Sequence, residues 1–363
     1  MRKKVLIVDD SAFMRKLIHD FISEHPLLEP VGFARNGMDA IEKIKLLQPD
    51  VVSMDVEMPI LNGIDALKQI MKECPVPVIM LSSTTTTGTE NTVLAMSHGA
   101  VDFIAKPSGT ISLDLYKVKE EIVAKLVEAS KIQISKLHAN HSSLLPKKIL
   151  NQNVSTDRKV YNKLKPTTRQ SKTQKIICIG TSTGGPRALQ QVLTSLPKGI
   201  PAPIVVVQHM PAGFTRSLAQ RLDSLSQIEI KEAEDGEVLQ QGIAYIAPGG
   251  YHLKVRKMES RLAVSLDKIE AQRNGHRPSV DVMFESISEI RNFDKIAVIM
   301  TGMGSDGAQG LIKLKRSGSV KAIAESQATS IVYGMPKAAV STNMIDDIEP
   351  LNHIADAIMK YMP

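Results

Sequence analysis

The stretch CIGTSTGGP, residues 178–186, follows an apolar run and enters a turn built from glycine, serine and threonine. The run at residues 176–179 is typical of a buried β-strand. A glycine-rich turn that leaves such a strand can either hold a phosphate group or present a nucleophile. The sequence around this turn therefore decides both the fold and the chemistry of the second half of the chain.

Short apolar runs recur on both sides of this turn and alternate with stretches of helical spacing. Strands that alternate with helices predict parallel sheets joined by right-handed crossovers. We therefore expect two doubly wound α/β domains, at residues 1–125 and 172–363, joined by a linker at 126–171. The predicted strands are residues 5–8, 51–54, 76–81 and 102–105 in the first domain, and 176–179, 204–207, 243–246, 296–300 and 320–324 in the second.

The composition is that of a soluble globular protein, with 43% hydrophobic and 23% charged residues among 363. No apolar run approaches the ~20 residues that span a bilayer, so we expect no membrane insertion. The cysteines, Cys74 and Cys178, lack metal-ligand spacing. Two cysteines are too few for a disulfide framework, which predicts two core residues in a reducing cytoplasm.

The net charge of +7 arises in one segment of the chain. Residues 131–175 hold eleven Lys/Arg against the single acid Asp157, whereas the segments on either side are close to neutral. Scattered basic residues without apolar periodicity are typical of a solvated linker. A DNA-binding output domain remains an alternative, but no helix-turn-helix pattern supports it, and we predict no nucleic-acid partner.

Polar residues stand at the ends of the predicted strands in the first domain. Because functional groups gather at the carboxyl edge of a parallel sheet, we expect these side chains to meet there. Carboxylates in such a cluster repel one another unless a hard cation such as Mg²⁺ binds them, and one of them can then accept a phosphoryl group. The residues are Asp9, Asp10, Asp55, Ser82 and Lys106.

The same region resembles the receiver domain of two-component response regulators. The resemblance rests on VLIVDDSAFMR (5–15), SMDVEMP (53–59), VIMLSS (78–83) and DFIAKPS (102–108). It implies that Asp55 accepts a phosphoryl group from a histidine kinase and that Ser82 and Lys106 respond to it. It also implies a Mg²⁺ site formed by Asp10, Asp55 and the backbone carbonyl of Glu57, with Asp9 assisting.

The turn at 180–186 fits a nucleophile better than a nucleotide-binding loop. Ser182 stands where a dinucleotide loop needs its second glycine, and no lysine follows the glycines as a phosphate loop requires. Residues 180–184 instead match G-x-S-x-G, in which small neighbours let a sharp turn raise the serine above the sheet. A serine needs a base and an orienting carboxylate, and His209 and Asp306 follow later strands. His252 and His276 are rival bases.

The second half resembles the catalytic domain of the CheB family of chemotaxis protein-glutamate methylesterases. The motifs are GTSTGGP (180–186), VVQHMPAGFT (206–215), YIAPGGYHL (245–253), RPSVDVMFES (277–286) and IMTGMGSDGA (299–308). The resemblance implies a Ser182–His209–Asp306 triad that hydrolyses glutamate γ-methyl esters on chemoreceptors and that, in many members of the family, also deamidates receptor glutamines. Thr181 stands where alanine is usual in the family.

The esterase hypothesis needs donors for the oxyanion but no metal. We expect the backbone N–H groups of Thr183 and Met303 to serve, because both lie in loops beside the proposed nucleophile. A receiver next to a hydrolase further predicts that the unphosphorylated receiver covers the active-site edge. A protein-binding output domain with an inactive triad is the remaining alternative.

Overall fold

The structure, a computed structural model, describes residues 1–106, 113–138 and 174–362, apart from the side chains of 113–117 and 137–138. Most of the predicted linker, residues 139–171, lies outside the described residues. Both described halves are parallel α/β units, as the alternation of strands and helices predicts. Within the described residues, no helix is long and apolar enough to cross a membrane.

The first unit is a five-stranded parallel sheet in the order β2-β1-β3-β4-β5, a flavodoxin-like arrangement. Four of its strands are buried over most of their length, which accounts for their continuous apolar runs, whereas the edge strand at 28–34 is only partly buried. The elements are β1 (Lys3–Val8), α1 (Ala12–Ser23), β2 (Leu28–Ala34), α2 (Gly37–Leu47), β3 (Val51–Asp55), α3 (Gly63–Glu73), β4 (Val78–Ser82), α4 (Thr86–Ser97), β5 (Asp102–Ala105) and α5 (Leu113–Ala129), followed by the short helix α6 (Ile134–His138).

The second unit is a seven-stranded parallel sheet in the order β14-β13-β12-β6-β7-β9-β8, with an antiparallel hairpin of β10 and β11 beside it. The strand β6, which leads into the opening turn, lies between β12 and β7. The elements are β6 (Gln174–Thr181), α7 (Gly185–Thr194), β7 (Ile204–Gln208), α8 (Phe214–Asp223), β8 (Glu229–Glu232), β9 (Ile243–Ile246), β10 (His252–Met258), β11 (Arg261–Asp267), α9 (Val280–Ser288), β12 (Phe293–Ile299), α10 (Ala308–Lys315), β13 (Val320–Glu325), α11 (Met335–Ser341), β14 (Asp347–Glu349) and α12 (Ile354–Lys360).

Helix α5 of the first unit extends beyond the predicted boundary at residue 125. Leu126 and Ala129 are buried in the same apolar cluster as Val5 and Ile7 of β1. The helix therefore continues to Ala129 because its last turn still packs against the core. Cys178 is buried in the second core as expected, while Cys74 is only half-buried.

The two units contact each other through α4 of the first and helices α7 and α8 of the second. Thr89 Oγ1 of α4 lies 2.8 Å from Ser217 Oγ of α8, and both side chains are buried. The rings of Phe103 and Phe214 stack with centroids 4.6 Å apart. The carboxyl edge of β6, which carries the opening turn, therefore lies close to the first unit.

Candidate active site

Ser182 directly follows β6 at the carboxyl edge of the second sheet. Its N–H donates to the carbonyl of Thr301, which follows β12, at 3.0 Å, and its carbonyl accepts from Gly185 N–H at 2.7 Å. A Cβ at Gly302 would lie only 2.7 Å from Ser182 Cβ. The loop that contains Gly302 can therefore approach Ser182 closely only because residue 302 has no side chain. Within the described residues, the Ser182 hydroxyl has no hydrogen-bond partner.

His209 follows the neighbouring strand β7 and is paired with a carboxylate. Its ring Nε2 lies 2.7 Å from Asp306 Oδ2, and the histidine side chain is only 6% exposed. The other ring nitrogen, Nδ1, is buried and unbonded within the described part of the chain. An imidazole that is oriented through one nitrogen has the other available to take a serine proton.

Asp306 lies at the beginning of helix α9, although it comes from the loop after β12. Its carboxylate accepts hydrogen bonds from Ser279 Oγ at 2.8 Å, Val280 N–H at 2.7 Å and Asp281 N–H at 3.0 Å. Burial opposes the ionisation of Asp306, but the hydrogen bond from His209 and the α9 amides together keep its pKa below the usual value. The carboxylate is therefore charged at neutral pH and can stabilise an imidazolium.

The backbone around Ser182 offers two free donors. Among the described residues, the N–H groups of Thr183 and Met303 have no hydrogen-bond acceptor. The Thr183 carbonyl is fixed by Thr301 Oγ1 at 2.8 Å, and the Thr183 hydroxyl donates to Asp102 Oδ2 of the first unit at 2.6 Å. Donors that are held in place before the reaction are the kind that stabilise an oxyanion.

The two rival histidines have other surroundings. The ring of His276 stacks on that of His209 with centroids 3.9 Å apart, and no described carboxylate hydrogen-bonds to it. Burial and the neighbouring His209 lower the pKa of His276 to about 4, so its ring is neutral at pH 7. His252 is buried at the start of β10, and its Nε2 lies 3.0 Å from the Ala271 carbonyl oxygen. Neither has the carboxylate partner of His209.

A second cluster lies at the carboxyl edge of the first sheet. Asp9, Asp10 and Asp55 each offer a carboxylate oxygen, and these atoms lie within 4.8 Å of one another. Lys106 Nζ is 3.1 Å from Asp9 Oδ2 and 2.8 Å from Asp55 Oδ2. Burial raises the pKa of Asp55 to about 6, against the lowering effect of Lys106 and with a further raising effect of Asp9. Three converging carboxylates, two of them buried, fit a small oxygen-preferring cation.

The remaining predicted residues of this cluster are placed less directly. Glu57 N–H donates to Asp55 Oδ1 at 3.4 Å, which brings residue 57 to the cluster. Ser82 ends β4 as predicted, but its hydroxyl donates to the Gly88 carbonyl of α4 at 2.9 Å. Ser82 therefore connects the strand edge to the helix that contacts the second unit.

The sequence analysis missed two buried acids of the second unit. Glu325 ends β13 and its Oε2 accepts from Thr301 N–H at 2.8 Å, while Asp281 Oδ1 accepts from Gly310 N–H at 2.6 Å. The position of Glu325 carried a usable signal, because it directly follows the predicted strand at 320–324. The position of Asp281 carries no such signal in the sequence, because its partners Gly307 and Gly310 are brought close to it only by the tertiary structure.

Comparison with known proteins gives two matching families. Residues 177–358 match the model described as CheB methylesterase, and residues 5–115 match the response regulator receiver domain. A Geobacillus kaustophilus protein named protein-glutamate methylesterase/protein-glutamine glutaminase is 57% identical over 360 residues, covering 98% of each chain. The Bacillus subtilis protein of the same name is 50% identical over 355 residues, covering 98% of this chain and 97% of its own.

Among solved structures, the Thermotoga maritima CheB methylesterase catalytic domain is similar. It is 46% identical with a TM-score of 0.50, and the match covers 52% of this chain and 98% of that domain. The matched share agrees with the size of the second unit, and the full-length relatives extend the likeness across both units. The chain thus belongs to the CheB methylesterase family, with a response regulator receiver domain in front of the hydrolase domain.

Proposed function

We propose that Ser182, His209 and Asp306 form the catalytic triad of a protein-glutamate methylesterase. The observation that carries this is the His209–Asp306 hydrogen bond of 2.7 Å, at the strand edge where Ser182 emerges. His209 removes the Ser182 proton as Oγ attacks the ester carbonyl, a step in which a positioned base contributes roughly 10²–10⁴-fold. The proton then leaves on the methanol, and water hydrolyses the acyl-serine to restore the enzyme.

The tetrahedral intermediate carries a negative oxygen that the backbone must stabilise. The N–H groups of Thr183 and Met303 have no acceptor among the described residues, which supports their assignment as the donors. Each such donor typically contributes roughly 10²–10³-fold. A side-chain amide passes through the same intermediate with ammonia as the leaving group, so we extend the proposal to the deamidation of receptor glutamines.

The triad is tested by replacing its members one at a time and measuring methanol release from methyl-labelled receptor membranes. Ser182→Ala should lose at least about 10³-fold in turnover, and His209→Gln should lose a similar amount because triad members act as a unit. His276→Gln is the matched control, since its ring stacks on His209 without a carboxylate partner. An inactive His276→Gln beside an active His209→Gln would show that the base is assigned to the wrong histidine.

We further propose that the receiver domain regulates this hydrolase through phosphorylation of Asp55. Asp9, Asp10, Asp55 and the carbonyl of Glu57 would hold a Mg²⁺ ion, which neutralises phosphoryl charge when bound. Lys106 forms an ion pair with Asp55, so a change in the charge of Asp55 would act on it directly. The Ser82 hydroxyl donates to the backbone of α4. Thr183, next to the nucleophile, donates to Asp102 of the receiver, which supports the hypothesis that the unphosphorylated receiver restricts access.

The partners and the location follow from this chemistry. We propose that methylated chemoreceptors are the substrates and that a chemotaxis histidine kinase is the phosphodonor, which places the protein in the cytoplasm. We also propose domain limits at residues 1–125 and 172–363, with the basic segment 126–171 as the linker, although α5 shows that helical structure continues to Ala129.

A further inference from the structure

One buried carboxyl group beside the triad has no part in the chemistry described so far. Glu325 ends β13 and is 0% exposed. Its Oε2 accepts from Thr301 N–H at 2.8 Å, while Oε1 is buried and makes no hydrogen bond within the described ranges. Leaving a buried polar atom unpaired costs about 1–3 kcal/mol. Glu325 is therefore a costly residue at this place, and its hydrogen bond with Thr301 N–H ties it to the residue that contacts Ser182.

Thr301 in turn holds both sides of the nucleophile. Its carbonyl accepts from Ser182 N–H at 3.0 Å, and its hydroxyl donates to the Thr183 carbonyl at 2.8 Å. Thr301 is also only two residues before Met303. A shift of Thr301 would therefore move Ser182 and both proposed oxyanion donors together, and a small displacement of such donors lowers the rate steeply.

Glu325 is also linked to the segment that follows the receiver. Lys136 of α6 donates through Nζ to the carbonyls of Gln327, at 2.8 Å, and Ser330, at 2.9 Å. These carbonyls belong to the loop directly after Glu325. The same loop returns to the active site, where Gly302 N–H donates to the Val332 carbonyl at 3.1 Å. One lysine from outside the hydrolase therefore anchors the loop that directly follows Glu325.

The surroundings of Glu325 make its charge sensitive to pH near neutrality. Burial raises the pKa of Glu325 to about 7, while the Thr301 N–H, the nearby hydroxyls of Thr329 and Ser330 and the charge of Lys136 act in the opposite direction. Burial also disfavours the charged form of Lys136 and so lowers its pKa, whereas the charge of Glu325 raises the pKa of Lys136. Above a pH of about 7 the carboxylate is charged and the charge of Lys136 stabilises it, and below that pH it is neutral.

We propose that Glu325 is a positioning residue for the esterase reaction, because it fixes Thr301 and so the Ser182 turn, and that Lys136 favours its charged form. This inference rests on the proposed function. Hydrogen bonds to an ionised acceptor are roughly twice as strong as those between neutral groups. The carboxylate therefore holds Thr301 more firmly than the protonated acid does.

The test compares Glu325→Gln with the wild-type full chain in methanol release from methyl-labelled receptor membranes across pH 5.5–9. Glutamine keeps an oxygen for Thr301 N–H but carries no charge. We expect kcat to fall about tenfold at pH 8.5, with KM within about twofold, and to approach the wild-type value at pH 5.5. The ratio of wild-type to variant kcat should thus rise through pH of about 7. A ratio that stays constant with pH would overturn the proposal.

Two further variants make the result specific. Glu349→Gln changes the acid opposite Glu325 in the β13–β14 register, and we expect the wild-type profile from it. Lys136→Ala removes the cation whose charge lowers the pKa of Glu325, so the rise in kcat should move to higher pH. An unmoved rise in Lys136→Ala would contradict the inference even if Glu325→Gln failed to fold. Methanol release by the wild type tests the proposed function separately from these comparisons.

Discussion

Asp281 and Asp306 lie side by side at the start of α9 but are pushed toward opposite charge states. Burial raises the pKa of Asp281 to about 6, and the charge of Asp306 raises it further, although the amides of Gly310 and Gly307 act against this. The hydrogen bond from His209 helps to keep the pKa of Asp306 low. Two acids whose pKa values are driven apart have different roles, and here one pairs with the base while the other holds the loop.

Asp281→Asn should stabilise the protein in a pH-dependent way. The folded-state pKa of Asp281 is above its unfolded value, so the folded state loses stability as pH rises through about 6 and the buried group ionises. Asparagine keeps the oxygen that accepts from Gly307 and Gly310 but never ionises. We expect an increase in unfolding temperature of about 2–5 °C at pH 8 and none at pH 4, measured by thermal denaturation.

The control for this prediction is an acid in a similar helical position without burial. Asp356 lies exposed in the first turn of α12. Asp356→Asn should give no increase at either pH, because an exposed carboxylate pays no burial cost. An equal effect of the two substitutions, or a stabilisation by Asp281→Asn at pH 4, would disprove the account given for Asp281.

At the level of single residues, the sequence indicates the triad candidates because they end strands of a parallel sheet. Ser182, His209 and Asp306 each follow a predicted strand, and the edge of a parallel sheet brings such positions together. Glu325 obeys the same rule and could have been included. Asp281 could not, because its environment depends on how closely α9 approaches the 307–310 segment.

At the level of elements, the turn after β6 depends on Gly185 at its own end and on Gly302 in the neighbouring loop after β12. A Cβ at Gly302 would lie 2.4 Å from Met335 Sδ and 2.7 Å from Ser182 Cβ. A Cβ at Gly185 would lie 1.9 Å from Gln208 Oε1. The element that carries Ser182 is thus packed against backbone that has no room for a side chain.

Gly302→Ala should therefore displace the Ser182 turn. We expect methanol release to fall by about 10²-fold or more, together with a lower unfolding temperature, because overpacking typically costs 1–3 kcal/mol. Gly199→Ala is the control, since a Cβ there meets nothing within 4 Å. Full activity in Gly302→Ala would mean that the turn has more freedom than its contacts indicate.

The predicted strands are mostly buried, and most of the strands without a prediction lie at sheet edges or in the hairpin beside the second sheet. The apolar runs at 204–207 and 320–324 predict strands, and these correspond to β7 and β13. By contrast, β8 and β14 are short and partly exposed strands at the two ends of the sheet, and β10–β11 forms a separate hairpin. Edge strands carry mixed polar and apolar residues, so the apolar periodicity that finds central strands does not find them.

At the scale of the whole molecule, the contact of α4 with α8 joins the receiver to the hydrolase. Met96 of α4 and Phe214 and Leu218 of α8 belong to one continuous apolar cluster. The buried Thr89–Ser217 hydrogen bond lies at the same contact. The sequence predicts two domains and a receiver that covers the hydrolase. It does not predict which helix makes the contact, because that depends on how the surfaces of the two folded domains fit together.

Thr89→Lys should raise the basal esterase activity. A charge at this buried position is costly while α4 rests on α8 but not when the two units separate. We expect methanol release without a phosphodonor to increase by about fivefold or more, and to remain high when Asp55 is also replaced by asparagine. Basal activity equal to the wild-type value would contradict the covering arrangement.

The control places the same new side chain at the next position of the helix. Glu90 is exposed on α4, so Glu90→Lys adds a lysine without burying it. We expect basal activity close to that of the wild type. If Glu90→Lys activates as strongly as Thr89→Lys, the effect comes from charge in general and not from the contact.

The apolar contact between α4 and α8 also makes this regulation sensitive to temperature. Separating the two units would expose the side chains of that cluster to water, which raises the heat capacity of the protein. Hydrophobic stabilisation weakens on cooling, so the closed arrangement becomes less favoured as the temperature falls. In the cold, unphosphorylated protein should therefore demethylate receptors at a larger fraction of its fully activated rate.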